Sequence, residues 1–283
     1  MTTNIAAVTV IYNPDENFLS NIYSYANHVS LLVIVDNSEN PDPAVYALLQ
    51  KDARVSLILN RENKGIAAAL NQGIKLASSH GFEWALTMDQ DSYFLDLMIE
   101  KYIDIFIQLP GKDKVAVLGP VFEKKDQNTI AGTVEVTSLI TSGSLVNIAI
   151  FNQLGGYNEA LFIDEVDHEY CYRAKLKGFL ILQLQQVFME HALGKVKQVN
   201  TISGQKKKSK TFHSPVRLYY IVRNSCFVIK TYKKSFPSEM KLKRKDVLVR
   251  IKNNFLYGNN KISVLKYVIR GYMDFRRKRF GKY

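Results

Sequence analysis

The chain has 283 residues, which is enough for one large domain or one domain with an appendage. Its two cysteines, without a CxxC pair, favour a reducing, cytosolic setting, and neither a signal peptide nor an apolar run of about 18 residues is found. Residues 1–194 carry 13 Lys and Arg against 23 Asp and Glu, whereas residues 195–283 carry 25 against 3. This asymmetry suggests an acidic half that binds a cation and a basic half that meets an anionic partner.

The first half of the chain alternates strand-like and helix-like segments. Apolar or β-branched runs occur at residues 6–11, 31–35, 55–59 and 84–88, and helix-like segments at 16–26, 44–51 and 65–79. This alternation predicts an α/β fold with a Rossmann-like, mainly parallel sheet flanked by helices. Ligands of such sheets bind beyond the carboxyl ends of the strands, so the polar residues that follow the strands are expected to meet at one edge.

The remainder of the chain is less regular and then changes composition. Further strands are predicted at residues 115–121, 138–147 and 180–184, a polar basic loop at 205–210, and helices at 216–231, 240–254 and 262–278. We therefore predict two regions, a sheet domain at residues 1–195 and a basic, mainly helical C-terminal region at 196–283.

Two aspartates follow the fourth predicted strand, in the sequence ALTMDQDSY. The carboxylates of Asp89 and Asp91, together with phosphate oxygens of a ligand, are suited to Mg²⁺ or Mn²⁺. Without a cation, the two carboxylates would repel each other. A D-x-D sequence is also common in surface loops, so its place after a strand is what favours the metal interpretation.

Two other polar segments follow predicted strands, and each has two interpretations. Asn63 and Gly65 open a helix of small residues, where Gly65 either lets the backbone approach a phosphate or is an ordinary residue near the helix cap. Asp36 either accepts hydrogen bonds from a base or ribose or caps the next turn. Taken alone, the Asp36 segment favours the cap.

An acidic cluster lies in FIDEVDHEYCYR, residues 162–173. Acidic side chains are favoured at a helix start, which is one interpretation of this segment. The apolar neighbours suggest partial burial, and a partly buried carboxylate such as Asp164 or Asp167 can take the proton of an incoming hydroxyl. Further along, His191 follows a strand-like run and is either a metal ligand or an ordinary surface or packing residue.

Together, these segments resemble glycosyltransferase family 2, the GT-A type of nucleotide-sugar transferases. The matching sequences are AVTVIYNP, LLVIVDNSEN, NKGIAAALNQGI, LTMDQDS, GGYNEALFIDEVDHEYCYR and MEHALG, which span residues 5–195 in the order of the family. The form DQDS, with FIDEVD and the later HSPVRLYYIVRN, is most similar to bacterial rhamnosyltransferases that use dTDP-L-rhamnose. Gln90 stands between the aspartates, unlike the more acidic DDD or EDD motifs of some relatives.

The resemblance implies a role for each matching residue. The residues expected to bind the nucleotide sugar are Thr9, Tyr12, Asn13, Asp36, Asn63, Gly65, Asp89 and Gln90. Asp91 and Asp89 are expected to bind Mg²⁺ or Mn²⁺ as the cofactor, and His191 matches a histidine that joins the metal in some relatives. Asp167 matches the general base of the family, and Asp164 is the competing residue.

The resemblance also implies an inverting, metal-dependent transfer of L-rhamnose from dTDP-β-L-rhamnose to a lipid-linked glycan in cell-surface polysaccharide biosynthesis. The cation would neutralise the departing dTDP while the base deprotonates the acceptor hydroxyl on the opposite face. Two alternatives stay open: the same fold with a UDP-hexose donor, and a non-catalytic basic protein that binds membrane or nucleic acid.

The basic C-terminal region has three interpretations. Residues 263–278, SVLKYVIRGYMDFRRK, mix apolar and basic residues at helical spacing, as in helices that lie in an anionic membrane interface. The second interpretation is packing on its own domain or on a second subunit of a homo-oligomer. Nucleic acid is not expected as a partner, because no recognised nucleic-acid module is present. We therefore expect a cytoplasmic protein, peripheral at the inner face of the cell membrane.

The segment HSPVRLYYIVRN, which begins at His213, is expected to lie on the acceptor side. In an enzyme that extends a lipid-linked glycan, Arg217 and Arg223 are suited to an acceptor diphosphate, and Tyr219 and Tyr220 to stacking on sugars. The alternative is that these side chains belong to an ordinary packed helix.

Overall fold

The computed structural model describes residues 4–95, 97–122, 132–191, 196–200, 207–258 and 260–283. The side chains of residues 191, 196–200 and 207–211 lie outside this description. None of the helices in the described ranges is both long enough and apolar enough to cross a membrane.

The described chain forms strands and helices that alternate through its first half. The strands are β1 (Ile5–Ile11), β2 (Leu31–Asp36), β3 (Val55–Leu59), β4 (Trp84–Asp89), β5 (Ser92–Phe94), β6 (Val115–Val121), β7 (Thr133–Glu135), β8 (Ser144–Asn147), β9 (Leu180–His191), β10 (Val196–Asn200) and β11 (Lys207–Thr211). The α-helices are α1 (Phe18–Ala26), α2 (Pro43–Leu49), α3 (Ile66–Ser79), α4 (Met98–Gln108), α5 (Ile148–Leu154), α6 (Val166–Leu176), α7 (Pro215–Tyr232), α8 (Pro237–Tyr257) and α9 (Lys261–Arg276).

The main sheet has the strand order β3-β2-β1-β4-β8-β6-β9-β5, and β7 also pairs with β9. Strands β3, β2, β1 and β4 are parallel neighbours, as their alternation with helices predicts. The other half is mixed, because β8 runs antiparallel to both β4 and β6, and β5 antiparallel to β9. The α/β fold class is confirmed, with the fully parallel part confined to the first four strands of the chain.

Several element boundaries differ from the sequence-based prediction. The predicted strand at 138–147 is shortened to β8, because a turn that closes with the hydrogen bond from Ser144 N–H to Thr141 O (3.1 Å) precedes it. Strand β9 continues to His191, and the short β5 and helix α4 were not predicted. Residues 207–210 of the predicted loop belong to β11, whereas 205 and 206 lie outside the described residues.

Strands β1 and β2 are buried along their whole length. Burial on both faces explains why their sequences are continuously apolar instead of alternating. Helix α3 packs on these two strands and approaches most closely at Gly73, where a Cβ would lie only 2.2 Å from Cγ1 of Val8. This packing fixes the carboxyl ends of β1 and β2, where the polar residues begin.

The chain divides into two compact units. The first comprises Met1–Phe162 and Val166–Ala192, and the second comprises Ile163–Glu165 and Leu193–Tyr283. In the second unit, α7 packs against α8 and α9, and Leu218, Ile221 and Val264 form a small apolar core. The three residues Ile163–Glu165, from the middle of the acidic cluster, therefore belong with the C-terminal helices.

Candidate active site

The carboxyl ends of β1, β2 and β4 lie side by side in the first unit. Ile11 of β1 is in register with Asp36 of β2, and Val10 is in register with Asp89 of β4. The residues that follow these strands therefore begin at one edge of the sheet, which confirms the meeting point expected from the sequence.

Asp36 is held by two neighbouring groups at this edge. It is 1% exposed, and its Oδ1 accepts the backbone N–H of Ser38 at 2.6 Å. Its Oδ2 accepts the hydroxyl of Tyr46 on α2, which the sequence did not single out. Burial, followed by the adjacent Asp36, raises the pKa of Tyr46, so its hydroxyl stays a donor at neutral pH. The turn interpretation of Asp36 is therefore present in the structure, and its contact with a nucleotide stays a prediction.

Gln90 joins the ends of β1 and β4. Its Oε1 accepts the N–H of Tyr12 at 2.7 Å, its Nε2 donates to Tyr12 O at 3.3 Å, and its own carbonyl accepts from Asn21 Nδ2 at 2.9 Å. Both polar atoms of the amide are engaged by the backbone of Tyr12, so Gln90 positions that residue, and its expected role in binding the nucleotide sugar stays a prediction. Tyr12 itself is 43% exposed.

Thr9 and Asn13, two further residues of the expected nucleotide site, differ in their surroundings. Thr9 is fully buried, and its Oγ1 lies 2.7 Å from the hydroxyl of Tyr25, so its expected contact with the nucleotide stays a prediction. Asn13 follows β1 with a positive φ of 44°, and its N–H donates to Ser38 Oγ at 2.7 Å. This bond ties the turn after β1 to the turn that holds Asp36.

Asn63 and Gly65 form the turn that leads into α3. The side chain of Asn63 accepts the N–H of Gly65 at 2.9 Å, and the N–H of Ile66 donates to Phe162 O at 2.8 Å. Gly65 has a φ of 84°, and a Cβ there would lie 2.5 Å from the same carbonyl of Phe162. These two N–H groups are thus engaged by protein acceptors, and the approach of residue 162 requires a glycine at position 65. The expected close approach of a phosphate stays a prediction.

Asn37 connects this turn to β2 and is another residue that the sequence did not single out. Its Nδ2 donates to Gly65 O at 3.1 Å, and its Oδ1 accepts from Asn60 Nδ2 at 2.8 Å. Amide side chains are well suited to such a bridge because each carries both donors and an acceptor. The turns after β2 and β3 and the start of α3 therefore form one hydrogen-bonded network.

Asp89 and Asp91 lie where β4 ends and β5 begins. The N–H of Asp89 donates to Ser142 Oγ at 3.1 Å, and the turn around Ser142 is fixed by the hydrogen bond from Gly143 N–H to Thr87 O at 2.8 Å. Across the sheet, Ser92 pairs with the backbone of His191. The strand pairing therefore brings the backbone of His191 next to the residue that follows Asp91.

This donor set fits a hard divalent cation. Two carboxylates at one strand end supply the oxygen ligands that Mg²⁺ and Mn²⁺ prefer, and the diphosphate of a bound nucleotide would supply more. Among the residues that the structure describes, no cluster of three or more His, Cys, Asp or Glu side chains forms a metal site on its own. The two carboxylates are thus a partial ligand set, and the cation stays a prediction.

Asp167 lies in the first turn of α6, also in the first unit. Its Oδ1 accepts the N–H of His168 at 2.8 Å and is 3.1 Å from Nδ1 of the same residue. Asp167 lines a small cavity with Thr141 and Tyr170, whose buried hydroxyl has no partner among the described residues. Thr141 directly precedes Ser142, which binds the backbone of Asp89. The cavity thus places Asp167 beside the turn that supports Asp89.

The loop at residues 162–165, which precedes α6, has an unusual backbone. Phe162, Asp164 and Glu165 have φ values of 67°, 62° and 68°. Positive φ costs energy in residues with a side chain and often marks functional loops. The chain therefore stores strain immediately before α6.

Helices of the second unit hold this loop. The amide of Asn224 donates to the carbonyls of Ile163 at 2.7 Å and Asp164 at 3.1 Å. The Glu165 carboxylate accepts from Ser225 Oγ at 2.8 Å and from Lys243 Nζ at 2.6 Å. Each of these contacts lies within the second unit, and together they stabilise the strained backbone.

Asp164 itself is only half satisfied. Its Oδ1 lies 3.3 Å from the guanidinium of Arg217, whereas its buried Oδ2 has no hydrogen-bond partner among the described residues. Burial raises the pKa of Asp164 even though the Arg217 charge acts in the opposite direction. Asp164 thus offers an unpartnered carboxylate oxygen in the second unit, in contrast to Asp167 in the first.

Three of the residues expected on the acceptor side are core residues instead. Tyr219, Tyr220 and Arg223 are 2%, 5% and 1% exposed. The guanidinium of Arg223 donates to Tyr219 Oη at 3.3 Å and to Gly281 O at 2.7 Å, and it lies over both tyrosine rings. Their burial favours the alternative of an ordinary packed helix, and the expected stacking on sugars and contact with a diphosphate stay predictions.

Of the five residues expected on the acceptor side, His213 is partly exposed and Arg217 is exposed. The Arg217 side chain is 51% exposed. His213 donates its N–H to Asn254 Oδ1 at 3.0 Å, and its Nε2 lies 3.3 Å from Arg250. Burial, and then the charges of Arg250 and Arg217, lower the pKa of His213 to about 4, so the imidazole is neutral at pH 7.

Comparison with known proteins gives a consistent result. Residues 7–152 match the family model described as Glycosyl transferase family 2. A protein of Shigella flexneri named dTDP-rhamnosyl transferase RfbF is 31% identical over 261 residues, which cover 81% of this chain and 81% of that protein.

Solved structures share the fold at low sequence identity. GalNAc-T7, crystallised with UDP, GalNAc and Mn²⁺, has a TM-score of 0.59 at 13% identity, covering 98% of this chain and 56% of its own. The S. aureus protein TarS has a TM-score of 0.56 at 16% identity, covering 96% of this chain and 48% of its own. The chain thus spans about half the length of these two proteins, and the likeness concerns the fold alone.

Proposed function

The chain belongs to glycosyltransferase family 2 and is a homologue of a rhamnosyltransferase, and from this premise we propose that it transfers L-rhamnose from dTDP-β-L-rhamnose to a hydroxyl of a glycan. The observation that carries the choice of donor is the 31% identity to a dTDP-rhamnosyl transferase across 81% of both chains. The sheet edge formed by β1, β2 and β4 is the site at which we propose that the donor binds.

The nucleotide is proposed to lie beyond β1 and β2. The Tyr12 ring offers an exposed face to the base, and Gln90 fixes the backbone of that residue. The Asp36 carboxylate, oriented by Tyr46 and by the N–H of Ser38, keeps lone pairs for a donor group of the base. Asn13 and Asn63 are proposed to shape the nucleotide site by stabilising the turns after β1 and before α3.

Asp91, together with Asp89 and His191, is proposed to hold Mg²⁺ or Mn²⁺ beside the diphosphate. When bound, the cation would offset the negative charge that develops on the departing dTDP. The protein's own contribution is to keep the two carboxylates at a fixed strand end, where the N–H of Asp89 is anchored to Ser142.

The acceptor hydroxyl is proposed to lose its proton to Asp167, with Asp164 as the alternative base. The acceptor oxygen then forms a bond to the anomeric carbon as the bond from that carbon to the diphosphate breaks, which inverts the configuration. Asp167 is favoured because it shares a cavity with the turn that supports Asp89. The unpartnered oxygen of Asp164 is what supports the alternative.

We further propose that the acceptor is a lipid-linked glycan of a cell-surface polysaccharide pathway, which the enzyme meets at the inner face of the cell membrane. Arg217, half exposed, and His213 are the residues proposed to face the acceptor. Residues 195–283 carry 25 Lys and Arg against 3 Asp and Glu, and this positive charge supports an anionic partner, such as a membrane surface, for this part of the chain.

The donor is tested by following nucleotide release from dTDP-β-L-rhamnose and from UDP-glucose with Mg²⁺ or Mn²⁺ and a lipid-linked acceptor. We expect dTDP release that depends on the acceptor, and a larger rise in melting temperature with dTDP than with UDP, because only a ligand of the native state stabilises it. Faster UDP release would assign a UDP-hexose donor. Release of neither nucleotide, without stabilisation by either, would contradict the proposed activity.

A further inference from the structure

Helix α9 has one face that is packed and one that is open. Val264, Gly271 and Asp274 are its buried residues. The packed face is fixed at Gly271, where a Cβ would lie 2.6 Å from the carbonyl oxygen of Tyr219 on α7. The rotation of α9 about its axis is therefore set by close contact with α7, and so is the identity of the residues that point to solvent.

The open face of α9 is apolar along its whole length. The exposed apolar residues are Ile262 (84%), Leu265 (52%), Ile269 (49%), Tyr272 (47%) and Met273 (37%). Their spacing of three or four residues places them on one side of the helix, in a stripe about 17 Å long. Single exposed apolar side chains are ordinary, but a continuous stripe on a solvent-facing helix indicates an interaction surface.

The charged residues around this stripe are basic. Lys261, Lys266, Arg270 and Arg276 are exposed, whereas the one acidic residue of α9, Asp274, is buried and pairs with Arg270 at 2.9 Å. The open face of α9 therefore combines apolar side chains with positive charge and has no exposed carboxylate.

Helix α8 repeats the pattern with a seven-residue period. Leu242, Val249 and Leu256 are 67%, 43% and 38% exposed, and Lys245 and Lys252 lie three residues after the first two. Residues seven apart fall almost on the same side of an α-helix. Asp246, on the same side of α8, is also exposed and pairs with Arg250 at 2.7 Å. The two helices, which pack on each other in the second unit, thus both turn apolar and mainly basic residues to solvent.

We propose that the open faces of α8 and α9 bind an anionic lipid surface. The apolar side chains would enter the boundary between headgroups and acyl chains, and the Lys and Arg side chains would meet anionic headgroups. This inference deepens the proposed membrane location and is independent of which donor sugar the enzyme uses.

Charge is the reason for choosing lipid over a second copy of the chain. A symmetric dimer through α9 would bring two identical basic faces together with no exposed carboxylate from that helix to compensate. Nucleic acid would meet the basic residues but would leave the apolar stripe between them without a partner. An anionic membrane satisfies both parts of the surface.

The test compares two double variants of the full-length chain. Leu265→Glu/Ile269→Glu changes the stripe, and Leu48→Glu/Ile107→Glu changes two helical residues of similar exposure, 45% and 47%, in the first unit. Both variants alter the net charge equally. Binding is measured by sedimentation with vesicles of about 30% phosphatidylglycerol in phosphatidylcholine and with pure phosphatidylcholine, and circular dichroism melts confirm folding.

We expect the stripe variant to bind the anionic vesicles roughly tenfold or more weakly than the native chain, and the control variant to bind within about twofold of it. Native binding to pure phosphatidylcholine should also be roughly tenfold weaker. Equal binding by both variants, or no binding by the native chain, would overturn the proposal. So would a native dimer in analytical ultracentrifugation that the stripe variant dissociates. Vesicle binding without dTDP release would contradict the proposed reaction and leave this inference standing.

Discussion

The sheet edge of the first unit and the loop at residues 162–165 both present carboxylates, but they hold them in different ways. Asp36 and Asp89 are the last residues of paired strands, so the ladder of the sheet fixes their positions. The loop instead has positive φ at Asp164 and Glu165 and depends on side chains of α7 and α8. Strain of this kind costs about 1–3 kcal/mol per residue and persists only where the surroundings enforce it.

This difference suggests a division of work. A rigid strand end suits a group that has to hold a fixed charge, such as a cation with its diphosphate. A strained loop held by a few side chains is easier to disturb and suits residues that respond to an arriving acceptor.

The largest effect is expected at the rigid edge. Asp91→Asn should lower dTDP release about 1,000-fold, because it removes a negative ligand of the proposed cation. The melting temperature should change little, because Asp91 lies after the end of β4 and not within the sheet. Turnover is measured at saturating Mn²⁺, with Asp104→Asn on the exposed side of α4 as the control. Full turnover by Asp91→Asn would refute its role as a metal ligand.

Comparing Gly65→Ala with Gly81→Ala separates the cost of backbone strain from the cost of a steric clash. Gly65 and Gly81 have similar φ values of 84° and 80°, but only at Gly65 would a Cβ meet other atoms, 2.5 Å from Phe162 O. We expect Gly81→Ala to lower the free energy of unfolding by about 1 kcal/mol and Gly65→Ala by about 3 kcal/mol. Urea unfolding measures both. Equal losses would mean that the turn yields and that Phe162 does not constrain it.

Asn224→Ala tests what holds the strained loop. The change removes two donors to the carbonyls of Ile163 and Asp164 and should lower the free energy of unfolding by about 2 kcal/mol. Hydrogen exchange should rise in residues 163–165. Thr231→Ala, on the exposed end of the same helix, is the control and should cost less than about 0.5 kcal/mol. An unchanged exchange rate in the loop would show that other contacts suffice.

The smallest effect expected is the contribution of His213, in the second unit, to the pH dependence of the free energy of unfolding. The pKa of His213 is lowered from 6.5 to about 4, so the unfolded chain binds more protons than the folded chain between these values. The stability that neutral His213 contributes is present above pH 6.5 and is lost as the pH falls toward 4. We expect His213→Gln to reduce the loss of stability over this range, measured by urea unfolding at several pH values. An identical pH dependence in both proteins would contradict this assignment.

The part of the site that the sequence could predict is the part that strand pairing organises. A run of β-branched residues that ends in Asp36 or Asp89 indicates a strand end, and parallel pairing then brings such ends together. Tyr46 was missed because its contact with Asp36 depends on how α2 docks, which no local pattern encodes. Asn37 was missed because an amide after a strand is equally typical of a turn.

In the C-terminal region, the sequence predicted the helices but not how they pack. Its helices were predicted from composition and spacing, but the sequence left open whether Tyr219, Tyr220 and Arg223 are packed or accessible, because amphipathic residues occupy both packed and open faces of helices. Asn224 donates a hydrogen bond to a loop about 60 residues earlier in the chain, and such a long-range tertiary contact has no local sequence signal. Only the three-dimensional arrangement could assign residues 163–165 to the second unit.

The most direct test of the central claim is the dTDP release rate of Asp167→Asn and Asp164→Asn, each compared with the native enzyme at saturating dTDP-β-L-rhamnose. We assign proton removal to Asp167 in the first unit, so Asp167→Asn should lose turnover by a factor of about 100 or more while it still binds dTDP. Asp164→Asn should keep most of it. Loss of turnover in Asp164→Asn with full turnover in Asp167→Asn would contradict the account and assign the base to the strained loop.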